Sequence, residues 1–278
     1  MNILYCGDKN IKDGLIISIL SLLKNVNEKL NIYVLTINMK TGDKNIEGVS
    51  PKVIQTLDQI IKNRNKNNSI KLIDITNLFE KEIPEINIDT RFTPCCMLRL
   101  YADQLEELPE KILYLDNDVI CRKDPAEFYN QDIKNYEIIG VLDYYGKWFF
   151  KNNIFKFDYI NSGVLLLNLK KIKETNLFYK CRKMCQSKKI FMPDQSSLNK
   201  LSKYKKIVGR QYNDQRRLHE DTVFQHFTTS FRLFPILHTV TIKPWHINNL
   251  HEKLKIFEYD DILEEYKKII NNVEMLGE

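Results

Sequence analysis

The sequence predicts an α/β fold in which a sheet is flanked by helices, and three observations carry that reading. Residues 3–75 read strand, helix, strand, helix, strand. Ile112-Leu113-Tyr114-Leu115 is apolar on both faces, as a strand in the middle of a sheet must be. The longest apolar runs, such as Val164-Leu165-Leu166-Leu167, have strand length and fall far short of the ~18–20 residues of a membrane span.

Each element follows from its own pattern. Residues 3–6 are a short apolar run ending in Gly7-Asp8, and residues 11–23 set Ile11, Leu15, Ile19 and Leu22 at helical spacing. Residues 30–37 alternate as a strand does, 51–62 read as a helix with Pro51 in its first turn, and 70–75 as a strand. The loop 63–69 is polar and expected to be exposed. A second helical segment opens at Thr93-Pro94 and runs to Leu105, with Met97, Leu98, Leu100 and Tyr101 on its face. Leu108-Pro109-Glu110 turns the chain into the 112–115 strand, which runs directly into Asp116-Asn117-Asp118. Further strands are expected at 138–142, 164–169, 207–208 and 222–227, and helices at 170–186 and 195–201. The tail 250–275 is amphipathic and acidic. With no internal repeat and no low-complexity linker, one domain over 1–249 and a helical tail over 250–278 are expected.

Composition narrows the class. Among 278 residues, 43% are hydrophobic and 28% charged, which argues against a disordered, collagenous or coiled-coil chain. The net charge of +6 is mild, but residues 170–217 alone carry 15 Lys/Arg and 3 Asp/Glu. That basic stretch has no nucleic-acid reader motif, so no nucleic-acid partner is expected. It either touches an anionic membrane surface or is a solvated lysine-rich face. Met1 to Asp8 reaches an acid too early for the apolar core of a secretory leader, so a cytoplasmic protein with reduced thiols is expected. Cys181 and Cys185 stand four apart on a helix and could share a zinc. No Cys/His pair of matching spacing completes that site, so they are read as plain thiols.

The chemistry is concentrated at Asp116 and Asp118. Acids two residues apart point the same way on extended backbone. Here they stand beyond the end of a central strand, where open α/β sheets bind ligands. Two carboxylates aimed at one point repel unless a cation lies between them, and hard oxygen donors suit Mg²⁺ or Mn²⁺. A lone Asp-x-Asp is also a common exposed turn; the buried strand before it favours the metal reading.

At this point the sequence resembles a known family. Six segments carry the resemblance, in family order. They are Ile3-Leu4-Tyr5-Cys6-Gly7-Asp8-Lys9-Asn10, then Arg91-Phe92-Thr93-Pro94 with Met97-Leu98-Arg99-Leu100, then Lys111 to Asp118. Asn161-Ser162-Gly163-Val164-Leu165-Leu166-Leu167-Asn168, Pro193-Asp194-Gln195 and Lys243-Pro244-Trp245-His246 complete the set. Together they resemble the family 8 retaining glycosyltransferases, which have the GT-A fold, a Rossmann-like mixed sheet flanked by helices. The resemblance spans residues 2–246 and looks closest to small bacterial enzymes of lipopolysaccharide and capsule synthesis.

The resemblance implies a UDP-glucose or UDP-galactose donor, a Mn²⁺ (or Mg²⁺) cofactor, and a glycan or lipid-linked oligosaccharide acceptor. It implies a third metal ligand, a late histidine. His226 is preferred because the residues before it alternate like a strand; His238 is the rival. The chain departs from the family here, because His226 stands 17 residues before Lys243 and the glycine usual between them has no counterpart. Residues 231–237 are read as an inserted apolar element. By the same resemblance Cys6, Gly7, Asp8 and Asn10 form the uracil and ribose loop, and Lys243 pairs with the phosphates. Arg99 lies near the diphosphate and donor sugar, and Asn117 is a further donor-binding position. Asp143, Asn161, Ser162 and Gly163 shape the donor-sugar floor. Asp194 and Gln195 face the anomeric carbon, with Asp194 also fitting a helix N-cap and Gln195 acting as an electrostatic stabiliser rather than a nucleophile. A nucleotidyltransferase would want a glycine-rich phosphate loop, which is missing. A non-catalytic carbohydrate-binding or scaffold protein on the same fold remains the alternative, against which the intact polar set argues.

Overall fold

The structure, a computed structural model, describes residues 1–41, 44–88, 94–149, 158–232 and 238–275. Arg91-Phe92-Thr93 and residues 233–237 of the inserted element lie outside the described residues.

The main sheet has seven strands: β1 (Asn2–Cys6), β2 (Asn31–Thr36), β3 (Ser69–Asp74), β4 (Lys111–Leu115), β5 (Ile138–Leu142), β6 (Ile160–Asn168) and β7 (Lys205–Val208). Their order is β7-β5-β6-β4-β1-β2-β3, so β4 is the central strand, as its two apolar faces require. The strands β1 to β4 and the β5–β7 pair run parallel, whereas β6 is antiparallel to both neighbours. The sheet is therefore mixed.

Alternate residues of β1 feed two cores. Ile3 and Tyr5 pack with α1 (Lys12–Asn25) and α2 (Pro51–Arg64), while Leu4 packs with the helix Pro94–Gln104 on the opposite face. The expected apolar stripe of α1 is buried at Leu15, Ile19 and Leu22. The 94–104 helix is wound more tightly than expected, as a 3-10 helix. That winding stacks residues three apart, and Arg99 Nε donates to the Cys96 carbonyl at 3.1 Å. Cys181 and Cys185 are buried, and burial pushes the Cys185 thiol up to about 12.

Three expected elements differ. The 170–186 helix is broken in two at Asn176, whose φ of 54° is tolerable for asparagine; α3 is Leu177–Ser187. The helix expected from Gln195 begins at Pro193, so α4 is Pro193–Leu201. Pro193 needs no N–H partner in a first turn, so Met192 takes the cap position and Asp194 lies inside the turn instead of capping it. The tail breaks at Lys255, φ 57°, into α5 (Ile247–Leu254) and α6 (Asp260–Met275). Helix α6 buries Ile262, Leu263 and Tyr266 in the core that holds α1, and Asp261 pairs with Lys24 at 2.5 Å. No helix among the described residues is long and apolar enough to cross a membrane.

Candidate functional site

Backbone pairing assembles the site. Beyond β4 the chain turns through Asp116 to Asp118 into a short strand, Val119–Cys121. That strand pairs antiparallel with Phe224–His226, which places His226 opposite Val119. The 222–227 strand is thus shorter than expected and lies outside the main sheet. The Phe227 N–H donates to the Asp118 carbonyl at 3.1 Å, and Asp116 N–H to the Gly163 carbonyl at 2.8 Å. β4, β6 and the ribbon therefore converge on one point.

At that point Asp116, Asp118 and His226 each offer a ligand atom, all within 4.8 Å of one another. His226 Nε2 lies 3.2 Å from Asp118 Oδ1 and 3.6 Å from Asp116 Oδ2. The side chain of His238 lies outside the described residues. Gly163 makes room for this cluster, because a Cβ there would stand 2.1 Å from His226 Cε1 and 2.8 Å from Asp116 Oδ2.

The cluster lines a cavity of about 680 Å³ that also takes in Arg99, Asp143, Asn161, Ser162, Asp194, Gln195 and Lys243. Its four aspartates outnumber its two cations, Arg99 and Lys243, so these side chains carry an excess charge of two when ionised. Two carboxylates and an imidazole nitrogen, with that deficit of positive charge, fit a divalent cation such as Mn²⁺. Lys243 contacts Asp118 Oδ2 and donates to the Phe227 carbonyl at 2.9 Å. Burial pushes the Asp118 carboxyl up, but Lys243 and His226 outweigh it and hold it well below the usual range.

Arg99, 3% exposed, is shared between two acids. Its Nη2 lies 3.0 Å from Asp116 Oδ1 and 3.3 Å from Asp194 Oδ2. It also donates to the Ser162 carbonyl. Burial raises the Asp194 carboxyl above its ordinary value against the pull of Arg99, and Asp116 adds to the rise. Gln195 is committed on both sides of its amide: Oε1 accepts from Ser162 N–H at 2.9 Å and Nε2 donates to Asp143 Oδ2 at 3.1 Å.

Cys6, Gly7, Asp8 and Asn10 lie at the end of β1, outside the lining of this cavity. There Asp8 caps the turn by accepting from Asn10 N–H at 2.9 Å. Asn117 points away from the cavity and packs over Gly14 of α1, where a Cβ would meet the Asn117 carbonyl at 2.4 Å. Two residues of the site carry no sequence signal. Tyr114 donates to Asp116 Oδ1 at 2.6 Å beneath the Arg99 guanidinium, which lies 3.8 Å from its ring centre. Asn213 meets His226 Nδ1 at 3.1 Å. Tyr114 looks like one more apolar strand residue, and Asn213 sits in a polar loop with no periodicity.

A mixed sheet with an acid pair beyond its central strand is the architecture of the GT-A glycosyltransferases. The galactosyltransferase LgtC superposes with a TM-score of 0.68 at 16% identity as an active-site mutant, covering 98% of this chain and 96% of that one. Its complex with donor and acceptor sugar analogues superposes at 0.63 and 17% identity, with 96% of each chain covered. The chain belongs to glycosyl transferase family 8, which matches residues 2–249. A Haemophilus influenzae relative named as a glycosyltransferase is 29% identical over an alignment of 229 positions that covers 77% of this chain and 57% of that protein. This chain thus spans little more than half of that relative's length. The Escherichia coli K12 protein named lipopolysaccharide 1,2-glucosyltransferase is 25% identical over an alignment of 283 positions that covers 93% of this chain and 76% of that one.

Proposed function

We propose that the protein is a metal-dependent retaining hexosyltransferase that moves glucose or galactose from a UDP-sugar to a bacterial surface-glycan or lipid-linked oligosaccharide acceptor. The convergence of Asp116, Asp118 and His226 on one point in the lining of a single cavity is the observation that carries this reading.

Asp116, Asp118 and His226 would hold Mn²⁺, with Mg²⁺ as a substitute. When bound, the cation supplies Lewis-acid stabilisation for the charge that grows on the β-phosphate as the glycosidic bond breaks. Lys243 exchanges its contact with Asp118 for a donor phosphate, as a point charge on a flexible stem. The Cys6 to Asn10 turn holds the nucleoside, and Asn117 supports the loop between the two acids. Asp143 and Asn161, with Ser162 and Gly163, receive the donor sugar.

The side chain at position 195 supports a retaining path that uses no carboxylate nucleophile. Gln195 Oε1 accepts from both the N–H and the Oγ of Ser162 and Nε2 donates to Asp143, so both lone pairs of the oxygen are engaged and the amide is held in place. It acts instead as an oriented dipole beside the anomeric carbon. Asp194, in the lining of the same cavity, is held by Arg99. The acceptor hydroxyl then attacks from the face that UDP leaves, and its proton passes to the departing phosphate oxygen. A trapped glycosyl adduct on Gln195 or Asp194 would overturn this path.

A thermal-shift panel of UDP-sugars with Mn²⁺ tests the donor. UDP-glucose or UDP-galactose is expected to stabilise the chain only with the metal present. Stabilisation by neither would favour the non-catalytic reading. We further propose a peripheral contact of the basic 170–217 stretch with the cytoplasmic membrane face. Binding to anionic vesicles that fades with salt is expected, and no binding at any salt concentration would refute it.

A further inference from the structure

The loop that carries Asn213 is laced to the strand that carries His226. Asp214 N–H donates to the Phe224 carbonyl and His226 N–H to the Asp214 carbonyl, both at 2.9 Å. The Asp214 carboxylate ties the rest of the loop, accepting from Thr222 Oγ1 at 2.7 Å and Arg210 at 2.9 Å and meeting His219 Nδ1 at 2.6 Å. Asn213, 1% exposed, is therefore set beside His226 by backbone pairing, independently of its own side chain.

Its side chain closes a run of hydrogen bonds whose direction is fixed at the far end. The carboxylate Asp143 Oδ2 accepts, so Asn161 turns Nδ2 toward it, at 2.9 Å. The Gly163 N–H only donates, so Asn161 turns Oδ1 toward it, at 2.9 Å. That same Oδ1 takes the Nδ2 of Asn213 at 2.9 Å. Asn213 is left with Oδ1 facing His226 Nδ1 at 3.1 Å. A carbonyl oxygen only accepts, so Nδ1 must carry a proton. Nε2 is then the ring nitrogen whose lone pair serves the point shared by Asp116 and Asp118. The opposite tautomer would bury two acceptors against each other.

We infer that Asn213 is the positioning residue that makes His226 a ligand through Nε2, at the end of a one-way polar relay running from Asp143 through Asn161. The inference rests on the cation-site reading above and adds a residue that never touches the cation. Asn213 acts by fixing the orientation and tautomer of the imidazole, the role that a hydrogen-bonded outer partner plays for a ligating histidine. The relay also joins a residue proposed to face the donor sugar to one proposed to hold the metal.

Mn²⁺ titration of the full chain without nucleotide sugar tests this in the wild type, Asn213→Leu and Asn213→Asp. Asn213→Leu keeps the volume but cannot accept, and is expected to weaken Mn²⁺ binding about 10–100-fold. Asn213→Asp keeps an acceptor opposite Nδ1, although its second oxygen then faces Asn161 Oδ1, and is expected to lose less Mn²⁺ affinity than Asn213→Leu. Wild-type affinity in Asn213→Leu, or equal losses in both variants, would overturn the inference, because a packing role does not distinguish an acceptor from a methyl group. Should Asn213→Leu fail to fold, Asn213→Ala compared with Asn213→Asp gives the same contrast. A wild type that binds no Mn²⁺ refutes the cation site itself, a failure distinct from that of Asn213.

Discussion

Position 163 stands so close to His226 that a single added methyl group would reach within 2.1 Å of its ring. Gly163 lies on β6 and carries no left-handed φ, so space, not backbone freedom, dictates the glycine. The nearest atoms belong to His226 and Asp116, both proposed ligands. Gly163→Ala is therefore expected to displace the imidazole and lower Mn²⁺ affinity by at least about tenfold, with an unchanged far-UV circular dichroism spectrum. Unaltered Mn²⁺ affinity would show that the ring has room to move.

Lys243 and a cation would compete for Asp118. The ammonium group now neutralises that carboxylate. Lys243→Met should leave Mn²⁺ binding equal or tighter in the absence of donor, and weaken UDP-sugar binding by roughly tenfold or more, the scale of one lost charge-assisted contact. Paired titrations with Mn²⁺ alone and with the donor check the split. A parallel loss of both would make Lys243 a structural strut.

Two acids share one guanidinium at Arg99, which gives a pH dependence with a definite sign. The Asp194 carboxyl is raised by burial, so its ionisation opposes folding. Its contribution to stability is full below the unfolded value of about 3.9 and is lost as pH rises through the higher folded value. Asp194→Asn is expected to raise Tm at pH 7, with the gain shrinking toward pH 4, while Arg99 keeps Asp116 as its partner. Turnover should fall, because the acid faces the reacting centre in this account. Melting curves from pH 4 to 8 measure the sign, and a lower Tm at neutral pH would show that the Arg99–Asp194 pair stabilises the fold.

The basic stretch 170–217 includes one cation with a purely structural task. Arg182, on α3, is 4% exposed, with Nε 2.6 Å from Glu82 and Nη1 2.7 Å from Asp103. Arg182→Leu leaves the partly buried Asp103 without its partner and should destabilise the protein by about 3–5 kcal/mol in urea melts. A change under ~1 kcal/mol would place the pair among inconsequential surface ion pairs.

Most of the scaffold was legible because it is local. The stripe of Leu15, Ile19 and Leu22 writes α1, and the double apolar face of Ile112 to Leu115 writes the central strand. Asp116 and Asp118 could be singled out because they follow that strand without a break. What escaped is long-range. The pairing of His226 with Val119 joins segments about a hundred residues apart and leaves no trace in periodicity. The breaks at Asn176 and Lys255 use positive φ without glycine; asparagine tolerates that conformation but does not compel it, and lysine gives no sign of it. Asn213 is one amide in a polar loop, and its position becomes meaningful only through the Asp214 backbone bonds that set it beside His226.

The central claim is that Asp116, Asp118 and His226 hold a divalent cation that activates a UDP-sugar. The most direct measurement is UDP release from UDP-glucose and UDP-galactose, with Mn²⁺ and with chelator, by the wild type and Asp118→Asn. The account predicts Mn²⁺-dependent release by the wild type, abolished by chelator and reduced at least about a hundredfold by Asp118→Asn. Release that persists with chelator, or that Asp118→Asn leaves intact, would contradict it.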